Sequence, residues 1–200
     1  VTEFHQSWPE TLADVFKSSE KTLIDEDVIR AHKKRIFDAN IKHGRLCKYG
    51  WFEPIYDLNL PMDEHSDVPF KIIGANFVPA DNPNDPRVST TIFMDPAANW
   101  KNRYYQGTDP ISTDTGTSNM ASAIWDKHFK TIAAMMDFRV RDVRVVFLQT
   151  LLLGIYYSTD TSKKTVMELL ESNIGQAHTQ YKIAKGFAEQ MVVNHELPHY

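Results

Sequence analysis

Residues 104–125 read Tyr-Tyr-Gln-Gly-Thr-Asp-Pro-Ile-Ser-Thr-Asp-Thr-Gly-Thr-Ser-Asn-Met-Ala-Ser-Ala-Ile-Trp, and no other stretch restricts the fold so strongly. A run of strand character, Arg103 to Thr108, stops at Asp109-Pro110, and a polar loop containing Gly116 leads to a second run, Met120 to Trp125. Proline has no amide hydrogen to give a ladder, and it biases the preceding residue away from helix. The pattern predicts a β-hairpin with the Asp109 carboxylate at its mouth, where backbone pairing gives way to open space. A lone Asp-Pro ordinarily only starts a turn. Whether this acid does more depends on the elements downstream of it.

Beyond the hairpin, Thr131 to Val140 is a third strand-like run, joined through Asp126-Lys127-His128-Phe129, so the three runs predict an antiparallel meander. From Asp142 to Tyr157, Val146, Phe147, Thr150, Leu151, Leu153 and Gly154 recur at helical spacing in a stretch too long and apolar for a strand, which predicts a buried helix. Thr165 to Glu171 suits a short covered strand that again ends on an acid. Ile174 to Ala184, continuing toward Val193, reads as a last helix broken near Gly186, with Gln180, Lys182 and Lys185 on its outside.

Upstream the signals are weaker. Ser7, Pro9 and Glu10 open a short helix that sets Leu12, Val15 and Phe16 on one face. Asp25 and Asp27 begin a second, with Val28, Ile29, Ile36 and Phe37 on its apolar side and Gly44 at its end. The basic run Lys33 to Arg35 there reads as a solvated helix face. Residues 46–102 lack a helical period: Trp51 to Ile55, Phe70 to Phe77 and Val88 to Met94 suggest short strands in a connecting region interrupted by acids and prolines. Asp63, Glu64, His65 and Asp67 are metal-ligand types, but without a rigid scaffold such acidic loops are ordinarily hydrated. The expected organisation is a helical segment 1–45, a connecting region 46–102 and an α/β domain 103–200.

Composition narrows the function classes. With 200 residues, 42% of them hydrophobic, the chain has material for one sizeable core and an appendage. Cys47 is the sole cysteine, so no internal disulfide forms and a reducing, intracellular setting is expected. No apolar run approaches the roughly 20 residues of a membrane span. A net charge of -4 argues against holding nucleic acid by bulk charge, leaving local basic patches or bound metal. The histidines show no zinc-like spacing.

A helical crossover from the third strand to a fourth one parallel to the first would bring Asp109 and Glu171 together at the carboxyl ends of the strands, where open α/β sheets bind ligands. Two nearby carboxylates repel unless a cation joins them. Oxygen ligands favour Mg2+ or Mn2+, and paired ions of that kind hydrolyse phosphodiesters.

With those residues in place the chain resembles a known family: the nuclease part of the large terminase subunit of tailed bacteriophages, with its ribonuclease H-like fold. The resemblance is carried by Tyr104 to Pro110, by Ser118 to Asp126 and by Glu171-Ser172-Asn173-Ile174-Gly175. The stretch from Trp8-Pro9-Glu10 to Phe16-Lys17-Ser18-Ser19 is similar to the segment by which the family leaves its ATPase domain. The resemblance implies a metal-dependent endonuclease that cuts concatemeric viral double-stranded DNA during packaging. It would use two Mg2+ or Mn2+ ions, with portal protein and the small terminase subunit as partners in the host-cell cytoplasm. Asp109 would match the first metal-binding acid and Glu171 the second, with Asp114 and Asn173 supporting. Glu168 competes with Glu171, but residues three apart on a strand face opposite ways, and the family pattern favours Glu171. Lys127, His128, Lys130, Lys163 and Lys164 are the candidate DNA contacts.

Two departures from the family carry expectations of their own. Nothing matches the phosphate-cradling Gly-x-x-x-x-Gly-Lys-Ser/Thr loop, so no ATP hydrolysis is expected. The chain is also expected to reach Tyr200 before a fifth strand and the last helix that bears the third acid, with Glu196 a poor substitute in a loop. A non-catalytic docking module of the packaging motor, or another ribonuclease H-like nuclease such as a resolvase, are the alternatives.

Overall fold

The computed structural model describes residues 47–111, 118–160, 163–171, 175–187 and 191–194. In chain order their elements are β1 (Lys48–Pro61), β2 (Phe70–Pro79), β3 (Thr90–Ile92), β4 (Tyr104–Asp109), β5 (Met120–Asp126), β6 (Thr131–Phe138), α1 (Val143–Tyr156), β7 (Met167–Glu171), α2 (Gln176–Ala184) and β8 (Met191–Asn194). The chain divides into two compact units between Leu46 and Cys47. The helices expected within 1–45, with the Lys33 to Arg35 run, lie outside the described residues.

All eight strands share one mixed sheet in the order β2-β1-β3-β6-β5-β4-β7-β8. The meander forms as its alternation dictates. In β4, Tyr104, Gln106 and Thr108 are buried while Gly107 and Asp109 are exposed. In β5, Met120, Ser122, Ile124 and Asp126 point the same inward way. After β6, α1 carries the chain across to β7, which pairs in parallel with β4, and α2 carries it on to β8, parallel to β7.

α1 begins at Asp142, whose side chain accepts from the Arg144 amide at 3.0 Å. Its sequence is apolar nearly all round, and Val146, Phe147 and every residue from Gln149 to Ile155 are buried. A helix of that kind must be enclosed on more than one side. The sheet encloses it on one side through Ile124, Met136 and their neighbours in the core. The β1–β2 hairpin meets it through Phe52 and Phe77, whose rings lie 5.3 and 6.2 Å from that of Tyr156. α2 contributes His178 and Tyr181, at 5.3 and 5.7 Å from Phe147.

Three expectations need correction. Residues 46–102 are not a loose connection: β1 and β2 are long strands paired with each other, and β3 joins them to β6. The ladder between β1 and β3 stops at Gly50, and the buried amide of Gln149 takes over, accepting from Phe52 N at 2.9 Å and donating to Phe52 O at 2.8 Å. A side chain of α1 thus satisfies strand backbone that no neighbouring strand reaches. Second, a further strand, β8, follows the last helix and pairs in parallel with β7, where the chain was expected to reach Tyr200 without one. The last helix stops at Ala184 because Gly186 adopts φ +82, letting Phe187 N bond Lys182 O at 3.0 Å and Gly186 N bond Ile183 O at 2.9 Å. That is a Schellman stop, and it frees the chain to re-enter the sheet. Third, Lys182 and Lys185 are buried rather than outside. Among the described residues no helix is long and apolar enough to cross a membrane.

Candidate functional site

Strands β4, β7 and β8 run parallel, so their carboxyl ends share one edge of the sheet. The last paired residues of β4 and β7 are Thr108 and Leu170, and one further step of that register sets Asp109 beside Glu171. Glu171 in turn pairs with Asn194. On the other side Asp109 pairs with Ala121, and Ala121 with Asp137. A single row therefore crosses the sheet: Asp137, Ala121, Asp109, Glu171, Asn194. Neighbouring strands are about 4.8 Å apart, so the backbones of Asp109 and Glu171 stand one strand spacing apart in the row, while Asp137 stands roughly 10 Å from Asp109. Asp109, Ala121 and Asp137 are exposed on the face opposite the helices, and among the described residues no cation pairs with Asp109. Asp137 was not anticipated from sequence. Its signal was the alternation of Met135, Met136, Asp137 and Phe138, in which exposed and buried positions succeed each other.

Glu168 does the opposite of a surface ligand. It lies on the core face, fully buried, with Oε2 accepting from Lys182 Nζ at 2.5 Å, and Oε1 within reach of Thr108 Oγ1 at 2.5 Å and His178 Nε2 at 3.3 Å. Burial alone would raise its pKa, but the charge of Lys182, with His178 beside it, outweighs that and holds the carboxyl well below the usual carboxylate range. Thr108, Ser122 and Gln106 continue the network to the Thr150 carbonyl on α1. This cluster ties α1 and α2 to the sheet. It cannot reach a substrate.

Asp114 and Asn173 lie outside the described residues. The acidic loop is structural: Asp63 accepts from the His65 amide at 2.9 Å, and Asp67 pairs with Lys185 and accepts from the Tyr181 hydroxyl at 2.8 Å. Among the described residues no three His, Cys, Asp or Glu side chains gather as a metal group.

The expected DNA contacts are displaced. Lys127, His128 and Lys130 occupy the β5–β6 turn, and β5 pairs its Asp126 end with Tyr104, the first residue of β4. Lys163 and Lys164 precede β7, whose Met167 pairs with Tyr105. All five therefore sit at the amino end of the parallel strands, about 17 Å along the strand from Asp109. Contrary to expectation, these side chains do not surround the acids. Among the described residues, the arginines just after β6 share the edge of Asp109. Arg139 donates to the Ser118 carbonyl at 2.9 Å, Arg141 is exposed, and Arg144 pairs with Asp142 at 2.8 Å.

No family model, no curated protein and no solved structure matches the chain.

Proposed function

We propose that the row containing Asp109 and Glu171 is the metal centre of a ribonuclease H-like endonuclease that hydrolyses double-stranded DNA, as in the nuclease part of a large terminase subunit. The observation that carries this reading is the parallel register that sets two acids side by side at strand carboxyl ends. The antiparallel meander, the helical crossover to a strand parallel with the first, and the further parallel strand β8 support it as the element order expected of that fold. The residues suit the group: the acids of the row are oxygen donors, Asp109 and Asp137 are exposed, and Ala121 leaves space between them. Mg2+ or Mn2+ bound there would supply an attacking hydroxide and charge relief for the leaving oxygen. The chain's own part is to hold the cations on Asp109 and Glu171, with Asp137 as a third carboxylate of the row. The exposed guanidinium of Arg141, on the same edge, steadies the backbone phosphates. In that setting the protein works in the host-cell cytoplasm during packaging, with portal and small terminase subunit as partners.

Relaxation of supercoiled plasmid in Mn2+ tests the proposal. Asp109→Ala and Glu171→Gln should each abolish cutting, and cutting that survives both removes the centre. Comparing linear duplex, branched DNA and RNA–DNA hybrid separates a packaging nuclease from a resolvase or an RNA-cleaving enzyme.

One observation favours a second reading, a non-catalytic docking module. The face that carries Asp109 also exposes Trp125, Ile132, Met135 and Leu169, aligned by the pairings of β4, β5, β6 and β7. Capture of portal protein by a chain that cuts with neither Mg2+ nor Mn2+ would establish it.

A further inference from the structure

The end of the sheet away from the acids is built as well. Arg103 and Asp126, both buried, form a forked ion pair there, with Arg103 Nε 3.1 Å and Nη2 2.8 Å from Asp126 Oδ2. Asp126 also receives the amides of His128 and Phe129 at 2.8 and 3.2 Å, which fixes the β5–β6 turn. Around the guanidinium stand three rings: Trp100 and Phe129 each at 5.1 Å and Tyr104 at 5.2 Å. His128 links the outer two, 5.2 Å from Trp100 and 5.0 Å from Phe129. Trp100 remains 47% exposed and Phe129 60%. Both rings are thus partly open to solvent, where an aromatic side chain can stack on a planar ligand.

Beside Trp100 opens a cavity of about 310 Å³ between the β3–β4 connection and the segment from α1 to β7. Its walls combine Trp100 and Tyr105 with Asn102, Thr159 and Lys163. Asn99 and Asn102, at φ 61 and 50, bracket Trp100 and Lys101 in left-handed backbone that asparagine tolerates better than most residues. Thr159 Oγ1 fastens this bend by donating to the Trp100 carbonyl at 2.9 Å. Lys163 Nζ donates to Asn102 Oδ1 at 2.6 Å, which leaves ammonium protons for an anion at the lip. Lys101, Lys127, Lys130 and Lys164 are exposed on the same end, whereas Asp126 and Asp160 are buried.

A half-exposed indole beside an ammonium and small polar groups suits an aromatic base with its phosphate. A base inside a duplex is already stacked on both faces and cannot use the indole. We propose that this end of the sheet binds an unpaired nucleotide, its base stacked on Trp100 and its phosphate held by Lys163, with the neighbouring lysines tracking the strand. The site is independent of the acid row and stands whether or not that row cuts DNA.

Fluorescence anisotropy of a labelled eight-residue oligothymidylate tests it on the full chain. The single strand should bind more tightly than a duplex of equal length. Loss of one base stack in Trp100→Ala should weaken binding roughly 5- to 150-fold, while Trp100→Phe, which keeps a ring, should retain most of it. Lys163→Ala should reduce the slope of log Kobs against log salt by about 0.7, the value of one phosphate contact on a single strand. Thymidine monophosphate as competitor separates the sources. Displacement at millimolar concentration points to a free nucleotide, and Trp100-dependent oligomer binding without displacement points to a strand; either outcome supports the site. Equal or better binding of duplex, or oligomer binding unchanged in both Trp100→Ala and Lys163→Ala, overturns it. Unchanged far-UV circular dichroism and melting of the Ala variants guard against a folding artefact. Asp109→Ala should leave this binding intact, so failure here and failure of the nuclease reading are told apart.

Discussion

At the scale of single residues, the most consequential group is the buried carboxylate of Glu168. Removing its cation leaves a charge with no water to solvate it, so breaking such a pair costs far more than the pair itself contributes. Lys182→Met should lower stability by about 3–5 kcal/mol, read from urea unfolding, whereas changing Glu168 and Lys182 together to apolar residues should restore much of the loss. The same carboxylate makes stability depend on pH. Its folded pKa lies below the ordinary 4.5, so the unfolded chain takes up the proton first as acid is added. Glu168 therefore stabilises the fold fully above that ordinary value, and the contribution drains away as pH falls below it toward the lower folded value. Melting temperature measured from pH 7 to 3 should fall more steeply for the wild type than for Glu168→Gln, whose starting stability is lower. None of this network was legible in sequence. A lysine at a helix position reads as solvated because most lysines are, and the partner that buries Lys182 comes from a different element.

Elements were legible where one local pattern dominated, and obscured where tertiary partners decided. The spacing of Val146, Phe147, Leu151 and Gly154 marked α1, and the alternation from Tyr104 to Asp109 marked β4. β1 was legible only as the short run Trp51 to Ile55, which already held Pro54, a residue that normally breaks a strand, and its full length to Pro61 was not. The proline is accommodated because β3 pairs β1 only as far as Gly50, so at Pro54 β1 has a strand neighbour on one side, β2. β8 was hidden because its apolar run continues the helical pattern of α2, and only the stop at Gly186 separates them. The contact between helix and sheet also rests on a glycine. A Cβ at Gly154 would lie 2.4 Å from Gln106 Oε1 and 2.7 Å from Thr165 Oγ1. Gln106 cannot swing away freely, since its amide nitrogen is bonded to Ser122 and to the Thr150 carbonyl. Gly154→Ala should therefore destabilise by about 1–3 kcal/mol in thermal unfolding, despite the helix propensity that alanine adds. At Gly186 nothing lies within 4 Å of the added methyl. Gly186→Ala should cost only the left-handed backbone, about 1–2 kcal/mol.

Over the whole molecule, the sheet separates two chemistries that the sequence intermingles. Asp109 and Glu171 could be read as neighbours because both end runs that pair in parallel, and strand direction alone fixes their common edge. The lysines could not be placed by the same reasoning. A loop next to a strand in sequence lies at either end of it, and only the pairing of Asp126 with Tyr104 and of Met167 with Tyr105 sends Lys127 and Lys163 to the far edge. On the proposed reading, duplex DNA lying over the acids would draw phosphate contacts from the arginines after β6, the basic residues that the described part of the chain sets on that edge. Each phosphate neutralised on duplex DNA contributes about 0.9 to the magnitude of the slope of log Kobs against log salt. Arg141→Ala should lower the duplex slope by about that amount and leave oligothymidylate binding unchanged, while Lys163→Ala should do the reverse. Filter binding across a salt series, with Ca2+ in place of Mn2+ to hold back cutting, reads both slopes on one protein. A duplex slope that responds to Lys163 and ignores Arg141 would place the duplex on the aromatic edge, and the acids at Asp109 and Glu171 would then have no substrate to act on.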